Sequence, residues 1–84
     1  MEAVFTFTST HDAIHGERLL LEAGVPVRVM ALPSSIGAGC GLCLRVAADA
    51  LESSRALLEG GGVIPEGRYL KETHDGRVTY TKVG

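Results

Sequence analysis

The stretch Pro26-Val27-Arg28-Val29-Met30-Ala31-Leu32-Pro33-Ser34-Ser35-Ile36-Gly37-Ala38-Gly39-Cys40-Gly41-Leu42-Cys43-Leu44-Arg45-Val46 decides how this chain is read. Two alternating apolar runs, 26–32 and 42–46, flank a loop rich in glycine. Period-two alternation predicts two strands. Val27, Val29 and Ala31 of the first are expected to face the core, with Arg28, Met30 and Leu32 on the other side. In the second, Leu42, Leu44 and Val46 face inward, and Cys43 and Arg45 outward. Glycines on both sides of Cys40 let the backbone turn tightly and leave its sulfur approachable, because no neighbouring Cβ shields it. The strand that follows gives that loop a rigid support, where reactive groups tend to sit.

On the upstream side, Ala3 to Thr8 sets Val4, Thr6 and Thr8 against Phe5 and Phe7, which reads as a further strand. Ser9 and Thr10 are good helix N-caps, and Asp12 suits the positive end of a helix running from about His11 to Ala23. Ala13, Ile14, Leu20 and Leu21 are expected to share its buried stripe, and Gly24 to end it in a left-handed cap. Downstream, Asp49 followed by Glu52 predicts a capping box opening a second helix through about Glu59, stopped by Gly60-Gly61-Gly62. Val63 and Ile64 begin a fourth strand limited by Pro65 and Gly67. Tyr69-Leu70-Lys71 and Val78-Thr79-Tyr80-Thr81 flank Asp75-Gly76, the signal for a tight hairpin.

The order strand, helix, strand, strand, helix, strand is that of a ferredoxin-like α+β sandwich, here with a C-terminal β-hairpin extension. The expectation is a single domain over 1–84, with a ferredoxin-like core at 3–66 and the hairpin at 67–84. In that arrangement the second of the two central strands lies antiparallel between the first two strands of the chain. The glycine loop then emerges at the sheet end where the first helix starts, so Cys40 is expected near Ser9, Thr10 and His11.

Composition narrows the function classes. The 84 residues suffice for one modest core, and 45% hydrophobic with 21% charged residues describes a folded chain. A net charge of -2 supplies no global field for nucleic acid or anionic lipid. No run reaches the length of a membrane span, and the first residues lack the basic and apolar regions of a secretory signal. Two cysteines are too few for a secreted disulfide scaffold. The expectation is a cytoplasmic protein with both thiols reduced, without nucleic-acid or membrane partners.

Two readings of Cys40 stand. In one it is a reactive thiolate: a helix N-terminus or a nearby imidazolium favours the ionised sulfur, and the N–H groups of the Gly37-Ala38-Gly39 turn can form an anion-binding nest. In the other the glycines only make the connection, and Cys40 is a small packed hydrophobe. Cys40-Gly41-Leu42-Cys43 is formally a C-x-x-C. The pair opens a strand, where an odd separation would send extended side chains to opposite faces, but a tight turn at Gly41 would still bring them together, and dithiol chemistry stays open. His11 and His15 add two nitrogen ligands to the two thiols, at a spacing unlike the common zinc finger, and no metal site is assigned. The helix-free sheet face, with Arg28, Arg45, Met30 and Cys43, is a candidate surface for a partner or for a homodimer.

Phe5-Thr6-Phe7-Thr8-Ser9-Thr10-His11-Asp12-Ala13, followed by Glu17-Arg18-Leu19-Leu20-Leu21-Glu22-Ala23-Gly24-Val25-Pro26-Val27-Arg28, resembles the small bacterial selenium/sulfur (Se/S) carrier protein-like family. Pro33 and the Cys40-Gly41-Leu42 step fit the same pattern, which runs from Val4 to Ile64. Members often carry a proline and an arginine where this chain has Ala31 and Ser34. The resemblance implies a carrier more than an enzyme. Its Cys-Gly step maps onto Cys40 and Gly41, so Cys40 would hold sulfur or selenium. From the residues themselves, Gly39 and Gly41 would give access and Ser9, Thr10 and His11 would steady the anion. Cys43 departs from the family pattern and is a candidate second thiol; donor and acceptor proteins would be the partners, and no cofactor is called for. A different class remains open beside it: a non-catalytic ligand-sensing or protein-interaction module with a structural Cys40.

Overall fold

The computed structural model describes residues 1–37 and 39–84. Its elements are β1 (Glu2–Thr6), α1 (Thr10–Glu22), β2 (Arg28–Ala31), β3 (Leu42–Ala47), a short 3-10 turn (Ala48–Ala50), α2 (Leu51–Gly60), β4 (Gly67–His74) and β5 (Arg77–Lys82). The architecture is α+β: one five-stranded sheet of order β2-β3-β1-β4-β5, antiparallel at every pairing, and two helices. β3 lies between β1 and β2, as expected from the sequence. No helix among the described residues is long and apolar enough to cross a membrane.

The register assigns the two faces. Ala3 and Phe5 of β1 stand opposite Val46 and Leu44 of β3, and Leu44 stands opposite Val29 of β2. Phe5, Leu44 and Val46 join Phe7, Ala13, Leu20, Leu58 and Val63 in one core between sheet and helices. The opposite face carries the row Met30, Cys43, Thr6, Gly67 and the row Arg28, Arg45, Val4, Tyr69.

Both helices end in the same way. Gly24 and Gly62 take positive φ (80° and 88°), and the N–H groups of Val25 and Val63 donate to the carbonyls of Leu20 and Leu58, each at 2.9 Å. This double closure satisfies the last helical carbonyls and turns each valine into the core. It also corrects the strand expected at Val63 and Ile64. The Val63 N–H is spent on closing α2, so no strand forms there, and the first arm of the hairpin supplies the fourth strand by pairing with β1. The hairpin turn itself is as expected, with Asp75 and Gly76 at φ 51° and 76°.

Three smaller expectations are also corrected. Asp49 does not cap α2: it lies in the 3-10 turn, α2 has no side-chain cap, and the Glu52 carboxylate binds Arg55 and Arg68 instead. Ala31 is exposed on edge strand β2. The buried residues of α1 are Ala13, Gly16 and Leu20, while Ile14 and Leu21 are 45% and 54% exposed. Gly16 is the cause. A Cβ there would lie 3.0 Å from Leu58 Cδ2 and 3.2 Å from Leu44 Cδ1, so the missing side chain lets α1 settle against α2 and the sheet.

Ser54 of α2 is fully buried, and its hydroxyl has no hydrogen-bond partner among the described residues. A buried unsatisfied hydroxyl costs about 1–3 kcal/mol, and alanine is the better helix former. Ser54→Ala is therefore expected to raise the urea midpoint. A clear fall would show that the hydroxyl has a partner.

Candidate functional site

Cys40 is fixed from the end of β1. Its N–H donates to the Phe7 carbonyl at 2.9 Å, while the Leu32 N–H donates to the Gly41 carbonyl at 2.9 Å on the other side of the loop. Gly39 and Gly41 take φ of 101° and 92°, in the region that favours glycine. Gly39 is also hemmed in: a Cβ there would lie 2.9 Å from the Phe7 carbonyl oxygen and 3.3 Å from Glu66 Oε1. The loop thus meets the chain just before α1. That is the sheet end expected from the strand order.

The environment of each thiol differs. Cys40 is half-buried and packs against the helix-side core. Its Sγ lies 3.7 Å from the Leu42 carbonyl, within the reach of a weak S–H donor. Cys43 is 1% exposed and lies on the opposite, helix-free face between Met30 and Thr6, its Sγ 3.8 Å from the Ala31 carbonyl. Burial pushes the Cys43 thiol's pKa up, the Arg45 guanidinium pulls it partly back, and the Cys40 sulfur adds to the rise. Both cysteines are free. Cys43 is therefore protonated and covered at neutral pH, and Cys40 is the better placed to meet another molecule.

The helix start is occupied with its own structure. Ser9 is the N-cap of α1, and its Oγ accepts the Asp12 N–H at 3.1 Å. Thr10 is exposed at the first helical position. The His11 side chain is 87% exposed, with Nδ1 3.8 Å from Asp12 Oδ1 and its ring centroid 6.1 Å from that of His15. Its contacts thus run along α1. Among the described residues no three His, Cys, Asp or Glu side chains converge as metal ligands. The anion nest expected at Gly37-Ala38-Gly39 turns on Ala38, which lies outside the described residues.

Sequence reasoning missed Glu66. Its N–H donates to the Thr6 carbonyl at 2.7 Å, which ties the approach to β4 to the end of β1, and its carboxylate lies beside Gly39. The only local signal was its place in Pro65-Glu66-Gly67, which reads as a strand limit.

The raised pKa of Cys43 has a consequence for stability. A thiol held neutral in the fold binds its proton more tightly than in the unfolded chain, so its contribution is whole below the unfolded thiol value, about 8.5, and is lost as pH rises through the folded value. Stability is expected to fall between roughly pH 8 and pH 10, with a shallower fall in Cys43→Ala. Urea unfolding at the two pH values measures both slopes, and equal slopes would refute the assignment.

Residues 2–70 match the family model described as "Putative Se/S carrier protein-like". No curated protein matches the chain.

Proposed function

The chain belongs to the Se/S carrier protein-like family, and from that premise we propose that it accepts a sulfur or selenium atom on Cys40 and passes it to a second protein. The observation that carries this reading is the contrast between the two thiols. Cys40 is only partly buried, on a glycine-flanked loop pinned to the end of β1, whereas Cys43 is buried with its pKa raised. We read the β2-β3-β1-β4 order as a ferredoxin-like core with β5 added at its edge.

In the sulfur case, the Cys40 thiolate attacks the outer sulfur of a donor persulfide. A new S–S bond forms to Cys40 as the donor's S–S bond breaks. The donor cysteine leaves as a thiolate, and the outer sulfur keeps its proton. No net oxidant is consumed. Delivery is the same displacement with an acceptor thiolate as nucleophile. Gly41 leaves open space beside Cys40, and the N-terminal end of α1, opened by Ser9, Thr10 and His11, is the part of the fold whose helix dipole would favour the anionic adduct. Cys43 is buried and held protonated, so it is a poor attacker of a persulfide on Cys40. The reading places the protein in a reducing compartment, the cytoplasm.

The direct test is incubation with a cysteine desulfurase and isotopically labelled cysteine, followed by intact mass and peptide mapping. One added sulfur on Cys40, discharged by a thiol, is the expected result. Label on Cys43, or on neither thiol, would overturn the proposal. That second outcome would favour the interaction-module reading.

A further inference from the structure

The charges of this chain are segregated by the sheet. Pairing places Arg28, Arg45, Lys71 and Lys82 on the helix-free face, four of the eight lysines and arginines. Of the ten aspartates and glutamates, Glu2 alone falls on that face of the strands. A chain of net charge -2 therefore presents one cationic face and an acidic remainder. Glu2 bridges two of the cations, 3.1 Å from Arg45 Nε and 3.5 Å from Lys71 Nζ. Arg28 and Lys82 are exposed and make no ion pair among the described residues. Arg28 also stands directly opposite Arg45 across β2 and β3, and of the two only Arg45 has a counter-charge among the described residues, from Glu2.

We infer that this face docks an acidic protein surface, which in the carrier reading belongs to a donor or an acceptor. Carboxylates from a partner would relieve the Arg28–Arg45 juxtaposition and speed encounter. A concavity of about 390 Å³, lined by Arg28 and Arg45 together with Glu2, Val27, Ala47 and Leu21 of α1, opens at the edge of the sheet at one end of the face. β3 runs from there to Leu42, beside the Cys40 loop, a span of about 17 Å at 3.4 Å per residue. A partner footprint of about 800 Å² on this face reaches the Leu42 end of β3, from where the partner would have to wrap the sheet end to meet Cys40 on the helix side. A second copy bound face to face would set cation on cation. RNA is the rival occupant, and the polyuridylate arm of the test below separates it from an acidic protein surface.

Tyr69 and Tyr80 both lie on this face, and the chain has no other tyrosine and no tryptophan. Its intrinsic fluorescence therefore reports on the face directly. Titration with poly-L-glutamate at low salt is expected to give a saturable change that weakens as salt rises. Arg28→Glu with Lys82→Glu should weaken binding on the order of tenfold. Arg18→Glu with Arg77→Glu, an equal change of charge away from the face, should leave it nearly unchanged. Equal loss in the two double variants, no saturable change, tighter binding of polyuridylate at the same salt, or a dimer in sedimentation that Arg28→Glu dissociates would each overturn the inference. Its failure is separable from that of the carrier reading. Loading of Cys40 from a donor and discharge to an acceptor protein that both ignore the Arg28 and Lys82 reversals sink the docking face alone, whereas poly-L-glutamate binding with no loading of Cys40 sinks the carrier alone.

Discussion

Phe5→Ala is expected to leave the protein largely unfolded at room temperature. Phe5 is fully buried in the central strand, opposite Leu44 on β3, and both belong to the core beneath the helices. Truncating a buried phenylalanine costs about 3–5 kcal/mol, from lost transfer energy and the cavity left behind. A domain of this size has little more than that to lose, since a single small core supplies only about 3–5 kcal/mol. Ile14→Ala is the matched control. It removes a large apolar side chain that is already 45% exposed, and the cost should stay below about 1 kcal/mol. Thermal melts followed by far-UV circular dichroism distinguish the two. A Phe5→Ala melt within a few degrees of the parent, or an Ile14→Ala melt as low as that of Phe5→Ala, would place the core elsewhere.

That contrast marks where sequence reading stopped being sufficient. Hydropathy places Ile14 on the buried stripe of α1, because period and apolarity are all it counts. The structure places Gly16 there, because the closest approach between α1, α2 and the sheet needs an absent side chain. The same limit applies at Cys43. Alternation assigns it correctly to the helix-free face, but not its burial. Register surrounds Val4, Thr6 and Cys43 with Met30, Arg45 and Tyr69, long side chains whose stems shield small central residues. Strand alternation, the Ser9 cap, the Gly24 closure and the Asp75-Gly76 turn were legible because each is decided within a few residues. The fourth strand was not. Val63 and Ile64 carry the stronger β-propensity, but closure of α2 takes the Val63 N–H, and the ladder passes to Gly67–His74.

At the candidate site, the glycine-flanked cysteine and its sheet end were legible, and Glu66 was not, since a carboxylate brought in from the approach to β4 leaves no local trace. Packing also decides the outcome of replacing each thiol. Cys40→Ser is expected to abolish sulfur loading, because a hydroxyl oxygen is a poor nucleophile toward a persulfide at neutral pH and cannot form the S–S bond. Cys43→Ser is expected to load as the parent does, since Cys43 is covered and held protonated. Ellman's reagent should accordingly modify one thiol readily in the folded parent and the second only in denaturant. In folded Cys40→Ser the rapid reaction should vanish, while in Cys43→Ser it should persist. Loading retained by Cys40→Ser, or lost in a folded Cys43→Ser, would move the chemistry to the buried sulfur and require the sheet face over Cys43 to open. If a dithiol exchange were at work instead, the two variants would fail alike. The asymmetry between them is what separates carriage on one sulfur from shuttling between two.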